Sequence, residues 1–189
     1  MKLFVIYLLS SFISVSVLAE VPSEIQGNDV VSGKASSVTN KEKDKKALVV
    51  VFVSAKCPCS DSHILELKNL AQKYKDFQFI AIHSNPDETA ELAKTYFTKA
   101  ELPFSVIQDT KTQLADAFKA FKTPHAFVVN TNGDILYQGG VTNSANASKA
   151  DKHFLADALE DIEQGRKVKN ENGRTLGCII MRESEHNTW

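Results

Sequence analysis

Apolar residues along the chain alternate between short β-type runs and longer helical repeats. Residues 47–54 read Ala-Leu-Val-Val-Val-Phe-Val-Ser, a continuous run that is typical of a strand covered on both faces. This pattern places the strand in the middle of a sheet. Further strands are predicted at 77–83, 104–108, 126–130 and 135–138.

Helical periodicity fills the gaps between these strands. From Ser60 to Tyr74 the apolar residues recur every three or four positions, which predicts an amphipathic helix directly after the central strand. Three further helices are predicted. One begins at residues 85–87, a short one includes residues 114–118, and the last covers residues 149–164 and ends before Gly165.

Two hairpins complete the predicted architecture. Asn132-Gly133 favours a tight turn between the last two strands, and Ser32-Gly33 lies between N-terminal strands at 24–31 and 34–39. Strands that alternate with helices indicate an α/β fold with a mostly parallel sheet, an antiparallel hairpin at its end, and helices on both faces.

The first 19 residues have the pattern of a secretory signal peptide. Lys2 precedes an apolar run of 16 residues containing four serines, and Ala19 stands before Glu20 at the expected cleavage site. This run is shorter than the stretch of about 20 apolar residues that a bilayer-spanning helix needs. We therefore expect a periplasmic or secreted protein without stable membrane insertion, in a compartment where disulfides persist.

Composition narrows the class of protein. The 189 residues are 43% hydrophobic and 24% charged, which fits one globular domain. With 22 basic against 23 acidic residues, nucleic acid is not an expected partner. The expected organisation is a signal peptide at 1–19, a hairpin and charged loop at 20–46, a core at 47–165 and a tail at 166–189.

The chain has three cysteines, Cys57, Cys59 and Cys178. An odd number cannot all pair within one chain, so redox chemistry or metal ligation is favoured over disulfides that only staple the fold. Cys178 alone also fits as a small buried residue beside Ile179 and Ile180.

Cys57 is the candidate nucleophile because it stands between the central strand and the first predicted helix. Unpaired backbone N–H groups and the positive helix end favour the thiolate there, and Pro58 suits the first helical turn. Lys56 adds a positive charge nearby. We expect the Cys57 sulfur to be within reach of incoming molecules.

These features resemble the thioredoxin superfamily, most closely its redoxin or peroxiredoxin-like branch, which includes proteins of the alkyl hydroperoxide reductase and thiol-specific antioxidant type. The resemblance covers about residues 24–180 and implies a thioredoxin-like fold. It rests on the turn at 57–60, Lys122-Thr123-Pro124 before a strand, the Asn132-Gly133 hairpin ending in Gly139-Gly140, and Leu176-Gly177-Cys178-Ile179 in the tail.

The resemblance also implies an activity, thiol–disulfide exchange with Cys57 as the nucleophile and no cofactor. It implies a cis bond before Pro124, opposite Cys57, with Thr123 and Pro124 positioning a substrate chain. Expected partners are protein or small-molecule thiols and disulfides, together with an external thiol reductant. Ser60 is a candidate hydrogen-bond donor to the thiolate, or only a helix-start residue.

The chain departs from the family pattern at the second cysteine. Ser60 occupies that position, Cys59 stands where proline is usual, and Lys56 replaces a tryptophan. Three routes therefore stay open: a Cys57–Cys59 pair, a Cys57–Cys178 pair like those of tail cysteines in redoxin-like proteins, or a monothiol released by an external thiol. The otherwise unexplained tail cysteine favours Cys178.

A peroxiredoxin-like thiol peroxidase is one alternative function. It needs the pattern P-x-x-x-[TS]-x-x-C and a core arginine. Counted back from Cys57, Ser54 fits but Val50 stands where proline should be. The arginines that could stabilise a leaving oxyanion all follow the last predicted helix, at 166, 174 and 182.

A copper or zinc carrier is the other alternative. Cys57, Cys59 and one imidazole would be soft ligands for copper(I) or zinc. His63 follows Cys59 by four residues and so shares its helix face, which makes it the candidate third ligand.

Overall fold

The structure is a computed structural model that describes residues 21–182. The predicted signal peptide at 1–19 and the end of the predicted tail lie outside the described residues. Within the described range, every helix falls short of the length and apolar character needed to cross a bilayer.

The elements follow the predicted order closely. The described strands are β1 (Glu24–Asn28), β2 (Ala35–Thr39), β3 (Ala47–Val53), β4 (Phe77–His83), β5 (Val106–Gln108), β6 (Lys122–Thr123), β7 (His125–Asn130), β8 (Ile135–Gly139) and β9 (Cys178–Ile179). The α-helices are α1 (Pro58–Lys73), α2 (Ala90–Ala100), α3 (Gln113–Ala117) and α4 (Phe154–Glu163), with 3-10 turns at Thr110–Thr112 and Ala147–Lys149.

The central sheet has the strand order β5-β4-β3-β7-β8. Strands β3, β4 and β5 are parallel neighbours, whereas β7 is antiparallel to both β3 and β8. The predicted mixed sheet is confirmed. The sequence favours mostly parallel strand pairs, whereas the sheet has two parallel and two antiparallel pairs. All seven residues of β3 are buried, as the uninterrupted apolar run predicts for a central strand.

Alternate residues of β3 face two separate apolar layers. Val51 packs in the layer that contains Leu67 of α1 and Leu155 of α4, and α2 joins the same layer. Phe52 packs in the opposite layer with Phe118 beyond α3. Helices therefore cover both faces, and the β1–β2 hairpin adds to the layer of Phe52.

The start of the last helix differs from the predicted one. The last helix begins at Phe154 rather than near Lys149, because residues 147–149 form a separate 3-10 turn. The Asn146 side chain accepts a hydrogen bond from the Ser148 N–H at 3.0 Å, which closes that turn before the helix starts.

The tail folds back onto the domain and forms β9, a strand that the hydrophobic pattern does not predict. β9 pairs antiparallel with β6, so that Cys178 lies opposite Thr123. Gly177 permits this close approach, because a Cβ there would collide with the Thr123 carbonyl. Beyond β9, Ile180 is 2% exposed and packs in the core, which fixes the strand in place.

Candidate active site

Cys57 lies at the junction of β3 and α1. It is the N-cap of α1, and Pro58 is the first helical residue. Its backbone N–H donates to the Ser54 hydroxyl at 3.0 Å. The first-turn N–H groups of a helix have no partners within it, so this position favours a negative charge on the sulfur.

Cys57 and Cys178 form a disulfide across 121 residues of sequence, with their Cα atoms 5.9 Å apart. That Cα separation is ordinary for disulfides. The Cys57 Sγ also lies 3.2 Å from the Thr123 carbonyl oxygen. The Thr123–Pro124 bond is cis, as the family resemblance implies. Of the pairings left open by the sequence, the structure contains Cys57–Cys178.

The Cys57 side chain is covered rather than open to solvent. Cys57 is 2% exposed, whereas Cys178 is half-buried. The physical reason is the β6–β9 pairing, which places the tail over the first turn of α1. Cys178 is therefore the more accessible partner of the disulfide, which corrects the expectation of a directly reachable Cys57.

Cys59 stays outside the disulfide as a half-buried thiol. The Sγ atoms of Cys57, Cys59 and Cys178 nevertheless all lie within 4.8 Å of one another. The turn at the start of α1 and the tail thus bring the three cysteines of the sequence together.

The expected roles of Ser60 and Lys56 are not found in their observed contacts. Ser60 is fully buried, and its hydroxyl accepts the Ser54 N–H at 3.1 Å. Among the described hydrogen bonds it has none with the Cys57 sulfur. The Lys56 ammonium donates to the Asp87 carbonyl at 2.7 Å, so its charge is directed towards the loop before α2.

His63 does not join the cysteines. It is 1% exposed, with Nδ1 2.7 Å from the Cys59 carbonyl oxygen and Nε2 2.8 Å from the Thr142 hydroxyl. Both ring nitrogens therefore have hydrogen-bond partners. The side chains that do lie together are those of Cys57, Cys59 and Cys178, because the tail brings its sulfur to the start of α1.

A buried carboxylate supports the loop before Cys57. Glu88 accepts hydrogen bonds from the Ser54 hydroxyl and from the Ala55 N–H, the latter at 2.7 Å. Its Oε2 also lies 2.9 Å from Nε2 of the fully buried His83. Ser54 in turn accepts the Cys57 N–H, so a continuous set of contacts connects Glu88 to the cysteine backbone.

The charge on Glu88 is stabilised inside the protein. Burial alone would raise the pKa of Glu88, but its hydrogen bonds with His83, Ser54 and the Ala55 N–H outweigh burial and hold that pKa below its usual value. The sequence alone does not indicate that Glu88 supports the site. It lies in a polar loop, and only the fold reveals that its partners come from two other segments.

His125 follows the cis-proline and is kept neutral. Burial lowers the pKa of His125 to about 4. Its ring lies against Phe127, with the centroids 4.4 Å apart, and its Nδ1 has no hydrogen-bond partner among the described residues. The buried Thr123 hydroxyl is likewise without a partner within residues 21–182.

Comparison with known proteins agrees with this fold. A family model for redoxins matches residues 22–154. A search of curated proteins found no match to this chain. Among solved structures, an uncharacterized conserved protein from Geobacillus kaustophilus is 25% identical, with a TM-score of 0.77 over 87% of this chain and 91% of that one.

Two further structures share the fold at lower identity. A hypothetical protein from Sinorhizobium meliloti is 23% identical, with a TM-score of 0.76, and the match covers 90% of this chain and 97% of that one. A putative thiol:disulfide interchange protein DsbE from Chlorobium tepidum is 20% identical, with a TM-score of 0.55 over 77% of this chain and 94% of that one.

The fold and the site define a thioredoxin-like α/β protein with a disulfide between the N-cap of α1 and the tail strand β9. Because the redoxin model spans most of the chain, the protein belongs to the redoxin family.

Proposed function

We propose that this redoxin is a thiol–disulfide oxidoreductase whose exchangeable pair is Cys57 and Cys178. The observation that carries the proposal is the position of this disulfide, at the N-terminus of α1 and against the Thr123–Pro124 segment. A disulfide placed there joins two sulfurs of unequal character, since one lies at a helix start and the other on an edge strand.

The oxidised form reacts first at Cys178. An external thiolate attacks the Cys178 sulfur, the Cys57–Cys178 bond breaks, and Cys57 leaves as a thiolate. Cys57 is the better leaving group because the helix N-terminus stabilises its charge, and a thiol of lower pKa leaves faster. The half-buried Cys178 is also the partner that solvent-borne thiols can approach.

A second external thiol completes the reduction. It attacks the sulfur of the first external thiol in the mixed disulfide. This step joins the two external thiols in a disulfide and releases the Cys178 thiolate. Two electrons thus pass from two external thiols to the Cys57–Cys178 pair. Oxidation of the reduced pair by a substrate disulfide takes a different route. Cys57 attacks the substrate disulfide and releases one substrate thiolate, and Cys178 then attacks the Cys57 sulfur of the mixed disulfide and releases the other. This route needs β9 to leave β6, because the tail covers Cys57 and pairs with Thr123.

Displacement of β9 also gives Thr123 and Pro124 their proposed role. Once the tail leaves, the backbone of Thr123 can pair with an incoming extended peptide as it now pairs with Cys178. Protein disulfides are therefore candidate substrates, alongside small-molecule disulfides and an external thiol reductant.

The exported compartment belongs to the same proposal. Cleavage after Ala19 would release a mature protein into the periplasm or medium, where a reversible disulfide can persist. The mature chain would then comprise the hairpin and loop at 20–46, the core at 47–165 and the tail at 166–189. The structurally similar protein from Chlorobium tepidum is named a putative thiol:disulfide interchange protein, which supports the same class of reaction.

Cysteine variants test the proposal through insulin-disulfide reduction and glutathione-dependent exchange. Cys57→Ser and Cys178→Ser should each abolish reversible two-thiol exchange, while Cys59→Ser should still form the Cys57–Cys178 disulfide. Exchange that survives in Cys57→Ser would contradict the proposal. Loss of the disulfide in Cys59→Ser but not in Cys178→Ser would assign the pair to Cys57 and Cys59.

Peroxide consumption separates exchange from the peroxidase alternative. Arg166 and Arg182 are each paired with a carboxylate oxygen at 2.7 Å, to Asp161 and Asp116 respectively. Because two of the three arginines are paired in this way and Val50 replaces the proline of the peroxidase pattern, we expect hydrogen peroxide to react with the reduced protein at a rate close to that of free cysteine. A much faster, Cys57-dependent reaction would overturn this assignment.

A further inference from the structure

The three cysteine sulfurs form a cluster that disulfide exchange uses only in part. Cys57 and Cys178 make the disulfide, yet the Cys59 thiol lies within 4.8 Å of both. We propose that the reduced protein binds one copper(I) ion through the thiolates of Cys57, Cys59 and Cys178, and that formation of the disulfide removes this site. The binding itself does not depend on the exchange activity proposed above.

The spacing of the sulfurs suits a three-ligand site. With metal–thiolate bonds of about 2.3 Å, a planar arrangement of three ligands sets the sulfurs about 4 Å apart. The observed sulfurs already lie within 4.8 Å of one another. When the disulfide is reduced, the bonded pair separates, and small side-chain rotations can bring all three sulfurs to the distances that a metal requires.

The number and type of ligands favour copper(I). Thiolates are soft donors that select copper(I) or zinc. Structural zinc sites take four protein ligands, and no fourth cysteine, histidine or carboxylate joins the cluster within residues 21–182. His63 is withdrawn from it because both of its ring nitrogens are hydrogen-bonded elsewhere. Three sulfurs without a fourth ligand match the low coordination number of copper(I).

The surroundings stabilise an anionic cluster. Cys57 lies at the N-terminus of α1, a helix of 16 residues, where the first-turn N–H groups and the helix dipole favour negative charge. Cys57 is also almost fully buried, which shields a bound ion from water on that side. The half-buried Cys59 and Cys178 leave an entry path on the other side.

Redox state then controls binding. When a disulfide compound RSSR oxidises the site, the two thiolates of Cys57 and Cys178 lose two electrons and form their own disulfide. RSSR accepts these electrons and becomes two thiolates. Copper(I) keeps its oxidation state and leaves, because the remaining thiolate of Cys59 is a single ligand.

The experiment titrates copper(I) into the protein against a chromophoric copper(I) chelator, without oxygen. The protein is first reduced with a phosphine, which is then removed. The expected result is one tightly held copper(I) per reduced chain and none held tightly by the oxidised chain. Cys59→Ser should weaken affinity by more than about 100-fold, since loss of an outer-shell partner alone costs about 10- to 100-fold.

His63→Gln is the matched control, since it changes the imidazole of the same helix face. Its copper(I) affinity should equal that of the unaltered protein, and the unfolding midpoint of each variant shows that the fold is retained. Equal affinity in Cys59→Ser, loss of affinity in His63→Gln with the fold intact, or tighter binding of zinc than of copper(I) would each overturn the proposal. A failure of the exchange function would leave this result unchanged, because copper(I) affinity is measured without any turnover.

Discussion

Thr123 and Cys178 pair directly across the antiparallel β6–β9 register, while the carbonyl of Thr123 lies 3.2 Å from the sulfur to which Cys178 is bonded. One short strand pair therefore does two things. It positions the tail cysteine on Cys57, and it occupies the backbone edge next to the cis-proline. The stability of this strand pair should set the redox properties of the disulfide.

Gly177→Ala tests the close approach of the tail. An added Cβ would collide with the Thr123 carbonyl, so the tail must move away from β6. We expect a higher reduction potential for the Cys57–Cys178 disulfide, measured by equilibration with glutathione buffers. A potential unchanged from that of the unaltered protein would show that strand pairing does not govern the disulfide.

Ile180→Ala tests the anchor beyond the disulfide. Ile180 is 2% exposed, and truncating a buried isoleucine costs about 2–5 kcal/mol. The reduced tail should undock more readily, and each 1.4 kcal/mol of docking energy lost should raise the reduction potential by about 30 mV. Ile179→Ala is the matched control, because the neighbouring Ile179 is 65% exposed. Equal potentials for the two variants would count against anchoring by the core.

Glu88→Gln tests the buried support of the loop before Cys57. At neutral pH the variant should be less stable by about 1–3 kcal/mol, the usual cost of disrupting buried hydrogen bonds. Since the folded pKa of Glu88 lies below the usual 4.5, its stabilisation is present above that pH and is lost as pH falls further. Urea unfolding at several pH values should show the two proteins converging in acid, and a constant difference would refute the charge argument.

His125→Phe tests the neutral imidazole beside the cis-proline. The folded pKa of about 4 lies below the usual 6.5, so the unfolded chain binds a proton in this interval and the folded chain does not. Stability should therefore fall as pH decreases from 6.5 to 4, by up to about 3 kcal/mol. His125→Phe should reduce this slope in the unfolding free energy. An identical slope would mean that His125 is protonated in the fold.

The sequence predicts those parts of the molecule that local patterns determine. The uninterrupted run from Ala47 to Val53 identifies the central strand because both of its faces are buried. The amphipathic pattern that begins just after Cys57 predicts that this residue lies at a helix start, as it does. The sequence leaves pairing with Cys178 as one of three routes, since the two-residue strands β6 and β9 are too short to show any periodicity.

Other features depend on distant partners and escape sequence analysis. From the sequence, Glu88 is expected at the surface. In the fold, β4 and β3 place its partners His83 and Ser54 next to it. The sequence likewise does not show that the His63 ring is hydrogen-bonded to Thr142, which is 79 residues away. Burial of Cys57 likewise results from the tail, which no local pattern around Cys57 reveals.

Differential thiol labelling across a series of glutathione buffers tests the central claim most directly. The native protein is equilibrated in each buffer, free thiols are alkylated, and mass spectrometry reports the labelled fraction of each cysteine. Cys57 and Cys178 should change from labelled to protected together, with one midpoint, while Cys59 remains a labelled thiol throughout. A Cys57–Cys178 disulfide that opens only after unfolding, or thiols at both positions in the most oxidising buffer, would contradict an exchangeable pair.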